Sequence, residues 1–444
     1  MNGNDLTRGA VAPQLIRYAV PLIAINALQA LYSIVDLMIV GQFVGSTGIV
    51  AVTNAGQVVG FLSQIAIAMT VGGNVLVGRH FGSGQADERK ASAGALCVFS
   101  LVLGVVFTFG LYALAGPMIR LLGAQESAEA VGYIRLSAIG FLPIFGYHAL
   151  SAILRGVGES KGPFYCIMAA SGANVLLDLL FVGGFGWGVY GAAIATVLAQ
   201  GVAFLTILLV YALPKGSFYG LERRWLVWDG PRIWAIIRLS LPIAFQQAII
   251  AVSWLYVLAV INGYGADVVA GYGISAKIRD FCQLLITAMM TATSSMIAQC
   301  LGAGDIPRTR QVLRTAMGLD IAMATITILF VEVAAPVLAG VFTQDTAVVQ
   351  VAVTNLRIEI MGQWFFSIFY MYHALAIGAG HTLFVSVNSF LNCIIVRISL
   401  LYFLGPLVGI IGIYWILMIS TSVSILPALI YERSGIWKRS AVLE

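Results

Sequence analysis

Long apolar runs dominate this sequence, and they rule out an ordinary soluble fold. A helix that crosses the hydrocarbon core of a bilayer needs roughly 20 apolar residues. Twelve such runs occur here, separated by short polar or Gly/Pro-containing connections. Charged residues make up only 10% of the chain, whereas soluble domains carry about 25%. The sequence therefore predicts an all-α polytopic membrane protein with twelve transmembrane helices.

The positions of the twelve predicted spans follow from the polar punctuation between them. They cover residues 14–40, 47–78, 92–115, 130–153, 163–184, 188–212, 233–262, 267–300, 312–340, 351–377, 382–406 and 408–431. Several of these runs are longer than a bilayer requires, so we expect those helices to tilt, bend or protrude.

Basic residues predict the orientation. An even number of spans places both termini on one side, and all but six of the 24 Lys and Arg residues fall on that side. The exceptions are Arg120, Arg135, Lys277, Arg279, Arg357 and Arg397. Because cytoplasmic loops are enriched in Lys and Arg, we expect a multi-pass protein of the cell (plasma or inner) membrane with both termini in the cytoplasm. This bias accounts for the net charge of +5 without a nucleic-acid partner.

The two halves of the chain resemble each other. IRYAVPLIAINA matches IRLSLPIAFQQA, which aligns Pro21 with Pro242, and FGSGQADERK matches LGAGDIPRTR. The longest polar connection lies between the halves. We therefore predict an N-terminal six-helix lobe at 1–213, a cytoplasmic linker at 214–232 and a C-terminal six-helix lobe at 233–444.

Six spans per repeat insert with the same orientation, because six is an even number. Repeats of this kind are related by a pseudo-two-fold axis along the membrane normal, an arrangement that secondary transporters use. We expect two six-helix bundles with a central cleft between them. The alternative is a gene duplication in a protein that does not transport.

Two acidic residues, Asp36 and Asp178, lie deepest within the predicted spans. A carboxylate at mid-bilayer costs about 2.5–3.5 kcal/mol on insertion scales, so an acid retained there is expected to serve a function. Asp280, Asp320 and Glu332 are weaker candidates for deep placement.

Asp36 ends a polar stripe on the first span, where polar residues recur at helical spacing on an otherwise apolar helix. Such a stripe faces a cavity or another polar surface rather than lipid. The candidates for lining a cleft or secondary site on this helix are Asn26, Gln29 and Tyr32. Upstream, Pro21 removes one backbone hydrogen bond and favours a bend.

Asn174 and Asp178 are four residues apart and therefore share one face of the fifth span. The tight GWGVYG connection makes the fifth and sixth spans antiparallel neighbours, which brings Thr196 towards them. With Asp36, this set of oxygen atoms suits Na⁺, and it equally suits a proton shared by two carboxylates. A structural alternative is an Asn–Asp hydrogen bond that ties helices together.

The second half lacks these carboxylates, because the positions that align with Asp36 and Asp178 are Val257 and a residue close to Ser399. We therefore expect the ion site in the N-terminal lobe alone. The charges predicted inside the second half are Lys277, Arg279, Asp280 and Arg397. They are interpreted either as internal ion pairs and snorkelling side chains or as residues for coupling or substrate contact.

Motifs that would indicate an enzyme are missing. The sequence contains no GxxxxGK[ST], so it predicts no ATP hydrolysis. It contains no DDxxD pair for prenyl transfer, and its five Cys residues form no CxxC or Cys/His ligand pattern. We predict a protein that is not an enzyme and needs no cofactor beyond a coupling ion.

The sequence resembles the MATE (multidrug and toxic compound extrusion) transporters over essentially its whole length. PLIAINALQALYSIVDLMIVGQFVG is similar to the family's first helix, and LRGVGESKGP with ANVLLDLLFV to its fourth loop and fifth helix. AQCLGAGDIPRTRQVL is similar to its second-half loop. The resemblance implies twelve helices in two six-helix lobes, a V-shaped cleft, and antiport of organic compounds against Na⁺ or H⁺.

The resemblance to the DinF-like branch of this family also implies site residues. Its coupling site in the first lobe matches Asp36, Asn174, Asp178 and Thr196 here. Pro21 matches a first-helix proline that is associated there with bending when the occupancy of the site changes.

The other large bacterial branch has a cation site in its second lobe, and this sequence departs from that pattern. Helix seven shows Gln246 and Gln247 but no acid, and helix ten carries only Glu359, near its outer end. We therefore expect no second-lobe cation site.

The sequence as a whole predicts a secondary active antiporter that exports organic, cationic or amphipathic compounds in exchange for H⁺ or Na⁺ by alternating access. We expect it to act as a monomer in the lipid bilayer on small organic substrates. The alternative is a lipid-linked oligosaccharide flippase of the same broad superfamily, whose cleft should carry more cationic residues to meet pyrophosphate. A channel is a further alternative.

Overall fold

The structure is a computed structural model, which describes residues 5–121, 128–213 and 222–439. Every regular element within these ranges is a helix. We label the membrane-spanning segments α1 to α12 in chain order, and we count a broken or π-distorted helix as one segment.

The first half contains α1 to α6. Their bounds are Val11–Phe43 (α1), Ser46–Gly82 (α2), Ala86–Leu121 (α3), Ala128–Ile139 with Phe141–Gly156 (α4), Lys161–Asp178 with the π-helical Leu179–Gly184 (α5), and Gly188–Ile207 with the π-helical Leu208–Ala212 (α6).

The second half contains α7 to α12. Their bounds are Gly230–Asn262 (α7), Ala266–Gly302 (α8), Ile306–Gly340 (α9), Thr346–Ile360 with Gln363–Gly378 (α10), Thr382–Phe390 with the π-helical Leu391–Ile398 and the first part of Ser399–Val423 (α11), and the remainder of Ser399–Val423 with Ile425–Ser434 (α12).

A break at Gly409 separates α11 from α12. Thr382–Ser434 forms 53 residues of nearly continuous helix, which at 1.5 Å per residue is about 80 Å long. A bilayer core is only about 30 Å thick, and Gly409 interrupts the stretch with φ 63° and ψ −175°. Within the described residues, nine helices are long and apolar enough to cross a membrane. Two further pairs of consecutive helices, each bent by 44° at a short break, qualify when each pair is counted as one span. Dividing the longest of these helices at Gly409 gives the twelve spans that the sequence predicted.

The observed helices are longer than the predicted spans at the ends rich in basic residues. The second span was predicted to end at 78 and the third to begin at 92, whereas α2 continues to Gly82 and α3 begins at Ala86. Hydropathy marks where the chain leaves the hydrocarbon. The helix continues into water because its backbone hydrogen bonds are already formed within the segment.

Packing divides the chain into two compact units. Unit 1 is formed chiefly by Val20–Leu241, and unit 2 by Leu6–Ala19 together with Pro242–Glu444. The first helix of each half therefore changes unit along its length, at Val20 in α1 and at Pro242 in α7. The lobe and linker boundaries proposed from the sequence stay predictions.

The backbone repeats between the halves. α1 and α7 each contain 33 residues, and α2 and α8 each contain 37. Positive φ angles recur at matching glycines, with Gly45 at 88° and Gly265 at 96°, and Gly188 at 56° and Gly409 at 63°. The similarity read from side chains thus extends to helix lengths and to the connections between helices.

The part of the predicted linker that the structure describes is fastened to unit 1; residues 214–221 lie outside the described residues. Lys90 Nζ donates a hydrogen bond to Glu222 Oε1 at 2.8 Å, and this contact holds the pKa of Glu222 below its usual range. A Cβ added at Gly94 would lie 2.0 Å from the carbonyl oxygen of Trp225. The linker backbone therefore needs a glycine on α3 to approach this closely.

The N-terminal segment is fastened to unit 2. The Leu6 N–H donates to Gln299 Oε1 at 3.1 Å, and Arg308 donates to the carbonyl oxygens of Leu6 and Gly9. These bonds join Leu6–Ala19 to the second-half helices that make up the rest of unit 2.

The break at Gly409 generates a prediction about stability. The substitution Gly409→Ala should lower the thermal midpoint of the purified protein, because its φ and ψ belong to a region that essentially only glycine occupies, at a cost of about 1–3 kcal/mol for other residues. Gly405→Ala is the matched control on the same helix, since an added Cβ there meets nothing within 4 Å. Equal midpoints for the two variants would show that the break does not need glycine.

Candidate ion site

Two acidic side chains from separate spans meet inside unit 1. The carboxyl groups of Asp36 on α1 and Asp178 on α5 lie close enough to interact directly. Asp178 is fully buried and Asp36 is half-buried. Two carboxylates this close in a low-dielectric interior repel each other strongly unless a proton or a cation lies between them. The pair is therefore suited to hold one positive ion.

The backbone of α5 changes character at Asp178. The α-helix ends at this residue, and the π-helical segment Leu179–Gly184 follows directly. π-Helical turns are rare and occur frequently at functional sites. Within this segment, a Cβ added at Gly183 would lie 3.1 Å from the ring of Phe43 on α1. The small residue lets α1 pack closely against the segment that follows Asp178.

Asn174 lies one turn before Asp178 and is 2% exposed. Its amide nitrogen and oxygen have no hydrogen-bond partner in the described part of the chain, and neither do the two carboxyl oxygens of Asp178. The structural alternative, an Asn–Asp hydrogen bond, is thus not formed. Unsatisfied buried polar atoms cost about 1–3 kcal/mol each, so their concentration here favours a site for an ion.

Tyr133 on α4 joins this cluster, although the sequence did not predict it. It is 5% exposed, its hydroxyl lies beside Thr196 on α6, and both Asp36 and Asp178 are close enough to act on it electrostatically. Tyr32 lies beside Asp36 on α1. An aromatic residue in an apolar span carries no charge to single it out. The one feature of the sequence that could have indicated Tyr133 is its position on the fourth span, in the same half as Asp36 and Asp178.

The remaining predicted residues of α1 lie further along the helix. Gln29 and Asn26 are half-buried, about two and three turns before Asp36. Ser33, about one turn before Asp36, is exposed. α1 continues as one helix through Pro21, about four turns before the acid.

The charges predicted inside the second half separate into exposed and buried residues. Lys277 and Asp280 on α8 are exposed. Arg279 on α8 is buried and donates to the carboxylate of Glu359 on α10. Internal ion pairing is therefore correct for Arg279. The sequence missed the pairing because it depends on the rotation of two helices about their axes.

Glu359 is 6% exposed, and its second carboxyl oxygen accepts a hydrogen bond from Asn355 Nδ2 at 2.8 Å. Arg397 on α11 is also buried. The weaker acidic candidates differ in burial, since Asp320 on α9 is fully buried and Glu332 is half-buried.

The donor set in unit 1 consists of oxygen atoms, which fits either ion considered from the sequence. Carboxylate, amide and hydroxyl oxygens are ligands for a hard cation such as Na⁺, and the adjacent carboxyl groups equally suit a shared proton. No group of three or more His, Cys, Asp or Glu side chains placed to hold a metal occurs in the ranges described. A Na⁺ ion would therefore depend on Asn174 and Thr196 as well as on the two acids.

Comparison with known proteins gives a consistent picture. The family model described as MatE matches the chain twice, at residues 21–180 and at residues 242–403. The probable multidrug resistance protein YoeA of Bacillus subtilis is 28% identical over 352 residues, which cover 77% of this chain and 76% of that protein. The probable multidrug resistance protein NorM of Thermotoga maritima is 24% identical over 448 residues, which cover 98% and 94%.

Solved structures show the same fold. A crystal structure of MATE in the straight conformation matches with a TM-score of 0.92 and 22% identity over 98% of both chains. A crystal structure of MATE in the bent conformation matches with a TM-score of 0.91, with the same identity and coverage. The architecture is therefore the twelve-helix arrangement of these proteins.

The contact between the two acids generates a prediction about stability. Asp36→Asn and Asp178→Asn should be non-additive, with a coupling of about 0.5–3 kcal/mol in the free energy of unfolding in detergent, because directly contacting residues do not act independently. A double-mutant cycle measures this coupling. Pairing Asp178→Asn with Asp87→Asn, an exposed acid on α3, provides the control cycle, which should be additive. Additive effects at Asp36 and Asp178 would contradict their contact.

Proposed function

The chain belongs to the MatE family, and we propose on this basis that it is a secondary active antiporter that exports organic compounds in exchange for H⁺ or Na⁺ by alternating access. The adjacent carboxyl groups of Asp36 and Asp178 are the observation that carries the coupling part of this proposal. Cationic or amphipathic compounds are the proposed substrates. The protein acts as a carrier and not as an enzyme.

The names of its relatives support export. YoeA and NorM are named as probable multidrug resistance proteins, and a Staphylococcus saprophyticus relative, 21% identical over 95% of this chain and 94% of its own, is named a multidrug export protein, MepA. These names give no support to the flippase alternative.

Coupling follows from the electrostatics of the acid pair. When a proton or Na⁺ is bound, the charge of the two carboxylates is partly neutralised, and α1 and α5 can pack closely at this point. When the ion leaves, repulsion between Asp36 and Asp178 favours a different packing of the two helices. Antiport requires that the ion and the organic substrate prefer different conformations.

Pro21 provides a point at which α1 can bend in response. Proline has no backbone N–H, so one hydrogen bond of the helix is missing there. A helix weakened in this way bends at a lower cost than an unbroken one. The proposal therefore links the occupancy of the acid pair to the bending of α1.

The proposed setting is the cell membrane, with both termini in the cytoplasm and the protein acting as a monomer. The bias of Lys and Arg towards one side supports this orientation. The two six-helix lobes at 1–213 and 233–444, joined by the cytoplasmic linker 214–232, complete the proposed organisation.

Removing one acid tests the coupling directly. In proteoliposomes, Asp178→Asn should lower gradient-driven transport by about 10-fold or more, because the ion loses the carboxylate through which it favours one conformation. Transport of a fluorescent organic cation is measured under separately imposed Na⁺ and H⁺ gradients, which also identifies the ion.

Two controls accompany this measurement. Asp87→Asn removes an exposed acid on α3 and should transport as well as the wild type. Counterflow of labelled against unlabelled substrate separates a carrier from a channel, because a channel shows none. Full gradient-driven transport by Asp178→Asn would refute the coupling role of the acid pair.

The repeat offers a matched pair of variants for the role of Pro21. Pro21→Ala should reduce gradient-driven transport, because it restores a hydrogen bond in the helix that carries Asp36 and stiffens it. Pro242→Ala changes the equivalent proline of α7, which carries Val257 in place of the acid. The same assay should show the larger loss for Pro21→Ala. An equal or larger loss for Pro242→Ala would remove the link between bending of α1 and ion occupancy.

A further inference from the structure

Unit 2 contains a buried guanidinium that the proposed coupling site does not use. Arg397 is 3% exposed and lies in the π-helical segment Leu391–Ile398 of α11. Its Nε donates to Ser420 Oγ at 3.3 Å, and its Nη1 donates to Ser253 Oγ at 3.4 Å. Strong hydrogen bonds from a charged nitrogen are shorter, about 2.7–2.9 Å. Both hydrogen bonds of Arg397 to the serines are longer than this.

No carboxylate pairs with Arg397. Among the residues that the structure describes, no acidic oxygen lies within 4.0 Å of its guanidinium. Arginine stays charged in proteins, and a buried charge is normally paired. This residue therefore presents an uncompensated positive charge inside unit 2.

A second arginine shares its aromatic neighbour. The Cζ atoms of Arg279 and Arg397 lie 4.5 and 4.8 Å from the ring centroid of Trp254 on α7. The nearby acidic side chains form ion pairs with Arg279 and not with Arg397. Glu359 pairs with Arg279 in the interior, and the exposed Asp280 lies 3.8 Å from Arg279 Nη2. The positive charge of Arg397 thus remains beside a neutralised pair.

Two further hydrogen-bond donors lie in the same cluster. Tyr414 is 1% exposed, and within the described ranges its hydroxyl has no hydrogen-bond partner. Tyr272 is 5% exposed, and its hydroxyl lies beside Arg279. Both belong to the apolar cluster against which Trp254 packs, and Tyr272 lies close enough to Arg397 to interact with it electrostatically. The hydroxyl protons of Ser253 and Ser420 are donated to the carbonyl oxygens of Cys393 and Leu417. Within the described part of this cluster, the donors left for a ligand are therefore the guanidinium of Arg397 and the hydroxyl of Tyr414.

We propose that Arg397 binds an anionic group in unit 2, with Ser253 and Ser420 beside it. Planar carboxylates match the guanidinium fork, which can donate two parallel hydrogen bonds to them. The anionic group is the carboxylate of a transported zwitterion or a free small anion. The first case rests on the proposed export function and assigns the carboxylate of a zwitterionic substrate to unit 2. The second is independent of transport.

Two dyes that differ only in one carboxylate test whether the anionic group is the carboxylate of a transported substrate. A zwitterionic xanthene dye with a free carboxylate and the methyl ester of the same dye are compared in proteoliposomes. In Arg397→Gln, the ratio of carboxylate to ester transport should fall by about 10-fold or more, as expected for the loss of a hydrogen bond to a charged group. Arg397→Lys keeps the charge without the fork and should show an intermediate ratio.

The ester is the internal control for folding, because a variant that still transports it is correctly assembled. Arg357→Gln is the matched control variant: this arginine is 46% exposed and contacts Glu332 outside the cluster. Its dye ratio should equal that of the wild type. An unchanged ratio in Arg397→Gln overturns the substrate carboxylate as the source of the anion.

A binding measurement on the full chain in detergent tests whether Arg397 binds a free small anion. Formate replaces isethionate at constant ionic strength, and the thermal midpoint is followed in the wild type and in the two Arg397 variants. A ligand that binds the folded state raises the midpoint, so formate should stabilise the wild type more than either variant. A response in formate with an unchanged dye ratio identifies a free anion as the occupant.

The anion site and the proposed function fail in distinguishable ways. Equal responses to formate in the wild type and both variants, together with unchanged dye ratios, would overturn the anion site while leaving gradient-driven export intact. If the wild type transports neither dye under any gradient, the proposed function fails, and the formate comparison alone decides whether Arg397 binds an anion.

Discussion

The hydrocarbon core offers no water to a backbone N–H or C=O, and this constraint determines most of the architecture. A helix pairs these groups within one segment, so a chain made of apolar helices can cross the bilayer repeatedly. The same constraint makes each exception informative. The π-helical segments that follow Asp178 on α5 and that contain Arg397 on α11 alter the regular pattern of backbone hydrogen bonds beside a buried charge. Both candidate sites lie where the helix itself is irregular.

The two units use one backbone plan for opposite chemistry. Helix lengths and glycine turns repeat between the halves, but unit 1 brings two carboxyl groups together, whereas unit 2 buries two guanidiniums against one indole ring. Duplication supplies a second copy of each helix and frees its side chains to diverge. In the proposed exporter, the coupling ion binds in unit 1 and the anionic group binds in unit 2.

Much of this fold could be predicted from the sequence, because a bilayer converts hydropathy directly into structure. The twelve spans and the repeat followed from apolar runs and the polar connections between them. Helical spacing and a short connection predict that Asp36, Asn174, Asp178 and Thr196 form one site, and Asp36 and Asp178 do lie together. The pairing of Arg279 with Glu359 did not follow from the sequence, since it depends on how two distant helices rotate towards each other. Tyr133 was missed because an aromatic residue in an apolar run looks like packing.

The division of α1 between the units has a consequence for biosynthesis. Leu6–Ala19 is translated before Val20–Leu241, yet it belongs to the unit that also needs Pro242–Glu444. Its hydrogen-bond partners Gln299 and Arg308 emerge from the ribosome only after the whole first half has been made. Domains commonly fold in order from the N-terminus during synthesis. Here Leu6–Ala19 can form its contacts only after residues of the second half are made, so unit 2 reaches its final packing only after Pro242–Glu444 has been translated.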